Sequence, residues 1–210
     1  MRQFVVGAVL RDINLDADSY SSFIDLQDKL HGGIGRKRTL ASIGTHDLDK
    51  IKAPVRYRAI PPSEIVFKPL NLTKELTALE QMQLYENNYL KEYLPIIRNE
   101  ERYPVIQDAD GIILSMPPII NSDHSKITLQ TRNIFIEVTG TDMKKLEIVL
   151  DTIVTMFSQY CKQPYLLVPF ILQRFFETFI LCFSVDPVEI LYPNGKSFIY
   201  PVGMCPQYFI

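Results

Sequence analysis

The chain has 210 residues, of which 47% are hydrophobic and 22% charged, and its formal net charge is −2. A chain of this length forms one large or two small domains and can bury about 70% of its unfolded surface. The near-neutral charge argues against non-specific binding to nucleic acid. Three cysteines without metal-ligand spacing argue against a disulfide framework and favour a reducing compartment: Cys161, Cys182 and Cys205.

The charge is unevenly distributed along the chain. Between Lys29 and Arg58 there are eight Lys or Arg against two Asp, a local balance of +6, which leaves −8 for the rest. Such an asymmetry is typical of a basic docking face on an otherwise acidic body. The simpler interpretation is a solvated surface and a loop, and charge alone favours it.

In the first third of the chain, hydrophobic spacing predicts a strand followed by a helix. The run FVVGAVL at Phe4–Leu10 is typical of a buried strand. Apolar residues then recur at helical spacing from Tyr20 to Leu30, and Gly32-Gly33 would end that helix. After the basic run RKR, the chain becomes apolar at Leu40–Ile43, and we expect a loop to begin at Gly44.

The middle of the chain predicts a strand, two helices and a hairpin. VRYRAI alternates like a strand, Thr77 can cap a helix, and a further helix begins near Asn88. YPVIQDADGIILSMPP contains two strand-like runs joined through Asp110-Gly111, which favours a hairpin turn. Pro117 and Pro118 cannot donate to a sheet and should end the second strand.

The last part of the chain predicts another strand, a long helix and a final hairpin. NIFIEVTGTD alternates so that Glu137 and Thr139 share one face of a strand. Asp142 or Thr141 would cap a helix whose apolar stripe runs from Leu146 to Tyr160. VEILYPNGKSFIYP contains a second hairpin with an Asn-Gly turn. Together these elements predict an α+β fold: a layered domain with a substantial mixed or antiparallel β-sheet and flanking helices.

The polar residues at these strand ends suggest one face of a pocket, but each has a simpler explanation. Exposure statistics favour a solvent-facing Glu137, and Ser115 and Asn121 are common turn or capping residues. A Ser-His-Asp triad is disfavoured because there is no GxSxG motif. The three histidines lack paired spacing, so we expect no zinc site. HGGIGRKR does not match a phosphate-binding loop.

One segment, Leu166–Ser184, has the apolar length of a membrane span. Arg174 and Glu177 lie at its centre, and a central Arg costs about 2.5 kcal/mol or more on insertion. Pro169 also interrupts it. We therefore expect a buried or peripheral helix and no membrane attachment, with membrane association as the alternative.

Long blocks of sequence carry a family resemblance. FVVGAVLRDI, RKRTLASIGTHDLD, IVFKPLN, YPVIQDADGIILSMPPIINSDHSKIT, TRNIFIEVTGTD and IVLDTIVTMFSQYC resemble, in order, the phenylalanine–tRNA ligase beta subunit of the eukaryotic/archaeal type. The resemblance runs from Phe4 to Cys161 and resumes at VEILYPNGKSFIYP. These blocks belong to that subunit's aminoacyl-tRNA editing domain. The resemblance implies one editing-type domain over residues 1–210, with a probable insertion at 165–184 and an atypical tail at 202–210.

The resemblance implies a hydrolytic editing activity. Phenylalanine and tyrosine differ by one hydroxyl, and an apolar pocket rejects such an isostere only about a hundredfold. Family members remove the error by hydrolysing tyrosine from the tRNA for phenylalanine. By motif position, Glu137 would read the tyrosine hydroxyl in a slot walled by Pro117 and Ile119. Ser115 and Asn121 would position water or an adenosine hydroxyl, and Thr139 with the TGT amides would face the developing oxyanion.

The resemblance also implies partners and a location. Arg36, Lys37 and Arg38 would contact the tRNA backbone, no metal would take part in editing, and the chain would be cytoplasmic. The full ligase uses ATP and Mg and pairs this subunit with an alpha subunit, so this chain alone should not aminoacylate tRNA. The alternative is a non-catalytic fragment that only binds tRNA or a protein partner.

Overall fold

A computed structural model of the chain describes residues 2–157, 184–191 and 197–200. Its largest sheet has five antiparallel strands in the order β11-β10-β1-β9-β2. These are β1 (Phe4–Arg11), β2 (Ala41–Asp47), β9 (Ile134–Gly140), β10 (Ser184–Leu191) and β11 (Ser197–Tyr200). A second antiparallel sheet contains β3 (Arg56–Ile60), β6 (Tyr103–Gln107), β7 (Ile113–Met116) and β8 (Ile120–Asn121). The α+β prediction is confirmed.

The remaining elements are short pairs and helices that flank the two sheets. β4 (Val66–Phe67) pairs with β5 (Leu76–Thr77). The α-helices are α1 (Ala17–Gly32), α2 (Ala78–Leu84) and α3 (Met143–Phe157), and 3-10 helices span Leu48–Lys50, Pro62–Glu64, Tyr85–Asn87 and Tyr89–Ile96. Within the described ranges, no helix has the length and apolarity needed to cross a membrane.

One face of the five-stranded sheet packs against α1 and α3. Alternate residues of β1 and β9, such as Val6 and Ile136, are fully buried there with Phe23 of α1 and Ile153 of α3. Because side chains alternate along a strand, the same strands send Glu137 to the opposite face. Both faces of β9 are buried. The expectation from residue type that Glu137 faces solvent is therefore wrong.

The opposite face of the five-stranded sheet packs on the second sheet. Phe135 of β9 shares a buried cluster with Ile106 of β6 and Leu114 of β7. The far side of the second sheet has its own core, in which Met116 and Ile119 pack with Leu94 of the Tyr89–Ile96 helix. The molecule is therefore layered, and β7 of the second sheet faces β9 of the first across the interface between the two sheets.

Most predicted elements are confirmed, including the hairpin between β6 and β7, whose turn places Gly111 at a φ of 84°. The expected loop at Gly44 is wrong, because β2 continues through it and pairs with β9 as far as Asp47. The helix beginning after Asn88 is a 3-10 helix, consistent with Pro95, which has no amide for an α-helical bond.

Of the two candidate caps of α3, Thr141 and Asp142, the structure favours Asp142, whose side chain accepts from the Lys145 amide at 3.2 Å. The structure places β10 and β11 as the predicted final hairpin. The Asn-Gly turn, Tyr160, residues 165–183 of the expected insertion and the tail at 202–210 lie outside the described residues.

A substitution at Gly140 would test how closely β9 packs against its neighbours. A Cβ at this position would overlap the Leu40 carbonyl and lie 2.6 Å from Leu146 Cδ1. We expect Gly140→Ala to lower the free energy of unfolding by about 1–3 kcal/mol, as overpacking does. Urea denaturation would measure it, with Gly32→Ala as the control, since a Cβ there meets nothing within 4 Å. Equal losses in the two variants would contradict the packing described.

Candidate functional site

A cavity of about 450 Å³ opens between α1, β2 and the segment that follows β7. Its volume lies within the range of small-molecule sites. Its apolar and aromatic lining consists of Tyr20, Ile24, Ile43, Leu70, Tyr89, Leu90, Pro117, Pro118, Ile119, Ile120 and Ile127. Its polar lining consists of Gln27, Asp28, His31, Arg38, Ser42, Thr45, Asn71, Asn121, Ser122, Lys126 and Glu137. A smaller cavity of about 190 Å³ lies near Arg2. Its lining has one carboxyl, that of Glu100, and Glu100 is exposed.

Glu137 is one of the residues lining the cavity and is only 2% exposed. Its neighbours across the sheet are both glycines, Gly7 on β1 and Gly44 on β2. A Cβ at Gly44 would overlap the Glu137 carboxyl, and a Cβ at Gly7 would lie 3.0 Å from the Ile136 carbonyl. The missing side chain of Gly44 therefore leaves the space that the Glu137 carboxyl occupies. Sequence reasoning missed this pairing, since it interpreted Gly44 as the start of a loop.

One oxygen of Glu137 is bound and the other is not. Ser115 Oγ donates to Glu137 Oε1 at 3.0 Å, which confirms that β7 and β9 bring these two residues together. Glu137 Oε2 is buried without a hydrogen-bond partner among the described residues. Burial raises the pKa of Glu137 to about 7, although the Ser115 bond and the Arg2 charge oppose the rise. The lining of the cavity therefore includes a residue with one buried, unpartnered carboxyl oxygen, to which a ligand hydroxyl could hydrogen-bond.

The double proline forms a wall of the cavity, and Arg38 holds it in place. Arg38 Nη1 donates to the carbonyls of Pro118 and Ile119 at 3.1 and 3.0 Å. Its guanidinium carbon lies 4.3 Å from the centre of the Tyr93 ring. Arg38 therefore differs from the expected surface contact to tRNA, since its charge is directed into the protein and stabilises the Pro117–Ile119 segment.

Thr139 lies two residues after Glu137 on β9 but does not line the cavity. Its hydroxyl is 3.0 Å from Ser42 Oγ, and its carbonyl accepts from Arg2 Nη2. Since β9 lies between β1 and β2, its amides are used by the two ladders, and the Thr141 amide donates to Leu40. The amides expected to face an oxyanion are thus engaged in backbone bonds, and Thr139 instead supports the sheet around Glu137.

The other predicted pocket residues divide between lining and support. Pro117, Ile119 and Asn121 line the cavity, and Asn121 Nδ2 is 3.5 Å from the Thr45 carbonyl. Ser115 is fully buried, and its hydroxyl is used by Glu137. Ser115 therefore orients the carboxyl through its hydroxyl hydrogen.

Helix α1 contributes polar residues to the cavity that sequence reasoning did not find. His31 is 3% exposed, and its Nε2 accepts from the Ile43 amide at 2.8 Å. Thr45 Oγ1 contacts Gln27 Oε1 at 3.3 Å, and Asp28 lies on the same side of the helix. The available signal was the polar spacing Gln27-Asp28-His31 on the strand-facing side of an amphipathic helix.

The basic loop between α1 and β2 presents two of its three cations outward. Arg36, Lys37 and Arg38 all have left-handed φ angles, of 47°, 51° and 64°. Lys37 pairs with Glu92 at 3.1 Å, and both side chains are substantially exposed. Arg36 is exposed. Within the described ranges, no group of three metal-ligating side chains is present.

Comparison with known proteins places this geometry in a family. A model of the "B3/4 domain" matches residues 9–162. The chain is 57% identical over 204 residues to the phenylalanine–tRNA ligase beta subunit of Caenorhabditis elegans, covering 96% of this chain and 32% of that subunit. It is 48% identical over 202 residues to the cytoplasmic beta subunit of Arabidopsis thaliana, covering 96% of this chain and 31% of the relative.

A solved structure shares the fold. The crystal structure of an N-terminal fragment of the phenylalanyl-tRNA synthetase beta subunit from Pyrococcus horikoshii superposes with a TM-score of 0.78 at 32% identity. The matched region covers 95% of this chain and 51% of the fragment. The chain spans about a third of the length of the curated relatives it matches.

The buried carboxyl makes stability depend on pH. Its folded pKa of about 7 exceeds the ordinary value of 4.5, so its contribution is fully present below 4.5 and lost as pH rises through 7. We expect the free energy of unfolding of the wild type, relative to Glu137→Gln, to fall by up to about 3 kcal/mol between pH 4.5 and 7.5. Urea denaturation of both proteins measures this difference. A difference that stays constant with pH would show that the carboxyl is not desolvated.

Proposed function

The chain belongs to the B3/4 domain family and resembles phenylalanine–tRNA ligase beta subunits, and from this we propose that it is an aminoacyl-tRNA editing module. Its substrate is the ester of tyrosine with the terminal adenosine of the tRNA for phenylalanine, and its reaction is hydrolysis. The observation that carries the proposal is Glu137, a buried carboxyl with one unpartnered oxygen in the lining of a cavity that combines apolar and polar residues.

Glu137 supplies the selectivity in this proposal. A tyrosine ring entering between Pro117 and Ile119 would bring its hydroxyl to Glu137 Oε2. Phenylalanine would fill the same slot and leave the carboxyl unpaired, and an unsatisfied buried polar group costs about 1–3 kcal/mol or more. The site therefore favours the mischarged product by penalising the correct one.

The hydrolysis needs water at the ester carbonyl. Water forms the new C–O bond, the bond from the carbonyl carbon to the ribose oxygen breaks, and the proton from water passes to that oxygen. Asn121 lines the cavity, and among the described residues its amide donates one long hydrogen bond, of 3.5 Å, to the Thr45 carbonyl, so it can orient this water. Ser115 positions the Glu137 carboxyl, and Thr139 positions the strand beneath it.

The wider setting follows from the same family. We propose that tRNA is the macromolecular ligand, that the longer subunit pairs with an alpha subunit, and that the protein acts in the cytoplasm. ATP and magnesium serve the ligase as a whole and have no role in ester hydrolysis. The alternative is a module that binds tRNA without hydrolysing the ester, and the proximity of Ser115 to Glu137 favours the hydrolase.

Removing the acceptor should remove the preference for tyrosine. Glu137→Met retains most of the volume but cannot accept a hydrogen bond, so kcat/KM for tyrosyl-tRNA deacylation should fall about 10–100-fold. Deacylation of phenylalanyl-tRNA by the same variant is the internal control and should be unchanged or faster. If the wild type hydrolyses neither ester, the binding-only alternative is favoured. If the variant keeps the preference for tyrosine, Glu137 does not recognise the tyrosine hydroxyl.

The exposed cations of the basic loop should contribute to tRNA affinity. We expect the double variant Arg36→Ala/Lys37→Ala to bind tRNA more weakly and to reduce the slope of log K against log salt by up to about two. Filter binding over a range of salt concentrations measures this slope. The double variant Lys144→Ala/Lys145→Ala removes the same charge from α3 and should leave the slope unchanged. Equal slopes in all three proteins would indicate that residues 36 and 37 are only solvated.

A further inference from the structure

Asp28 and His31 form a polar pair at the cavity that the proposed selectivity does not use. They lie one turn apart on α1, and Asp28 Oδ1 is 3.9 Å from His31 Nδ1. That separation is too long for a hydrogen bond between the two groups. The Asp28 side chain is 70% exposed, whereas His31 is buried, so the pair extends inward from the cavity mouth.

His31 is a hydrogen-bond donor held ready for a ligand. Because its Nε2 accepts from the Ile43 amide, the neutral ring carries its proton on Nδ1. Nδ1 is buried and has no hydrogen-bond partner among the described residues. Burial lowers the pKa of His31 to about 4, so the ring is uncharged at neutral pH. A buried donor without a partner is costly, and an acceptor atom in the cavity would satisfy it.

Asp28 is the acceptor of the pair. Apart from Glu137, it is the only carboxyl among the residues lining the cavity. The charged groups that share the lining are the cations Arg38 and Lys126. Arg38 donates to backbone carbonyls and Lys126 to Asn71, so Asp28 remains the natural partner for a cation on a ligand.

We infer that Asp28 and His31 form a subsite for an α-amino ester, in which Asp28 accepts from the α-ammonium and His31 Nδ1 donates to the ester carbonyl. The nitrogen and the carbonyl oxygen of an aminoacyl group are about 3 Å apart, so two protein groups one helical turn apart can contact both. The inference rests on the proposed function and adds recognition of the amino-acid head group. It places a neutral donor where negative charge develops during hydrolysis.

The test uses binding of a non-hydrolysable probe, 3′-tyrosylamino-3′-deoxyadenosine, and its N-acetyl derivative, measured by isothermal titration calorimetry on the 210-residue chain. The wild type should bind the free amine at least about tenfold more tightly than the acetylated probe. Asp28→Asn should bring this ratio close to one with little effect on the acetylated probe. Because Asp28 is exposed, this variant should fold even if a His31 variant does not.

His31→Gln tests the other half of the subsite. Its side-chain oxygen can still accept from the Ile43 amide, but the donor at the Nδ1 position is lost. Both probes should bind about five- to tenfold more weakly and by the same factor, since both retain the carbonyl. Thermal melting of the variant shows whether the fold is retained.

The outcomes separate this inference from the proposed function. If the wild type hydrolyses tyrosyl-tRNA but Asp28→Asn leaves the probe ratio unchanged, the subsite is wrong and the editing proposal stands. If the probes follow the expected pattern but tyrosyl-tRNA is not hydrolysed, the subsite is supported and the proposed hydrolytic activity is wrong. Failure of the wild type to bind either probe would overturn the inference.

Discussion

The architecture depends on how a carboxyl is buried between two sheets. Glu137 sits on the inner face of a central strand, where a charge is expensive unless it is paired or neutralised. The fold accommodates it with space from Gly44 and a hydrogen bond from Ser115. The alignment of β7 over β9 is the geometric condition for that bond. The same side chain therefore links the two sheets and keeps one buried oxygen without a partner among the described residues.

Two arginines extend this constraint to the loops. Arg2 ties the start of the chain to Ser42, Thr139 and the Arg38 carbonyl, and Arg38 ties the basic loop to the double proline. Since charged hydrogen bonds to buried carbonyls are expensive to break, these contacts limit movement of the cavity wall. The wall is consequently irregular in backbone but well specified in position, as a selective slot requires.

The sequence predicted the elements far better than the details of the site. Strand alternation and the Asp110-Gly111 turn were sufficient for β1, β6, β7 and β9, because their signals are local. Gly44 was misinterpreted because its reason for being glycine lies on another strand. Arg38 and His31 could not be placed from spacing, because their partners are carbonyls, amides and rings distant in the chain. Pairwise tertiary contacts of this kind leave no periodic trace.

The central claim is that the Glu137 carboxyl receives the hydroxyl of a tyrosine ring bound in the cavity. A crystal structure of the chain with 3′-tyrosylamino-3′-deoxyadenosine would test it most directly. The account predicts the phenol oxygen within about 3 Å of a Glu137 carboxyl oxygen, with the ring between Pro117 and Ile119. A phenol group directed to solvent, with Glu137 still bonded only to Ser115, would contradict it.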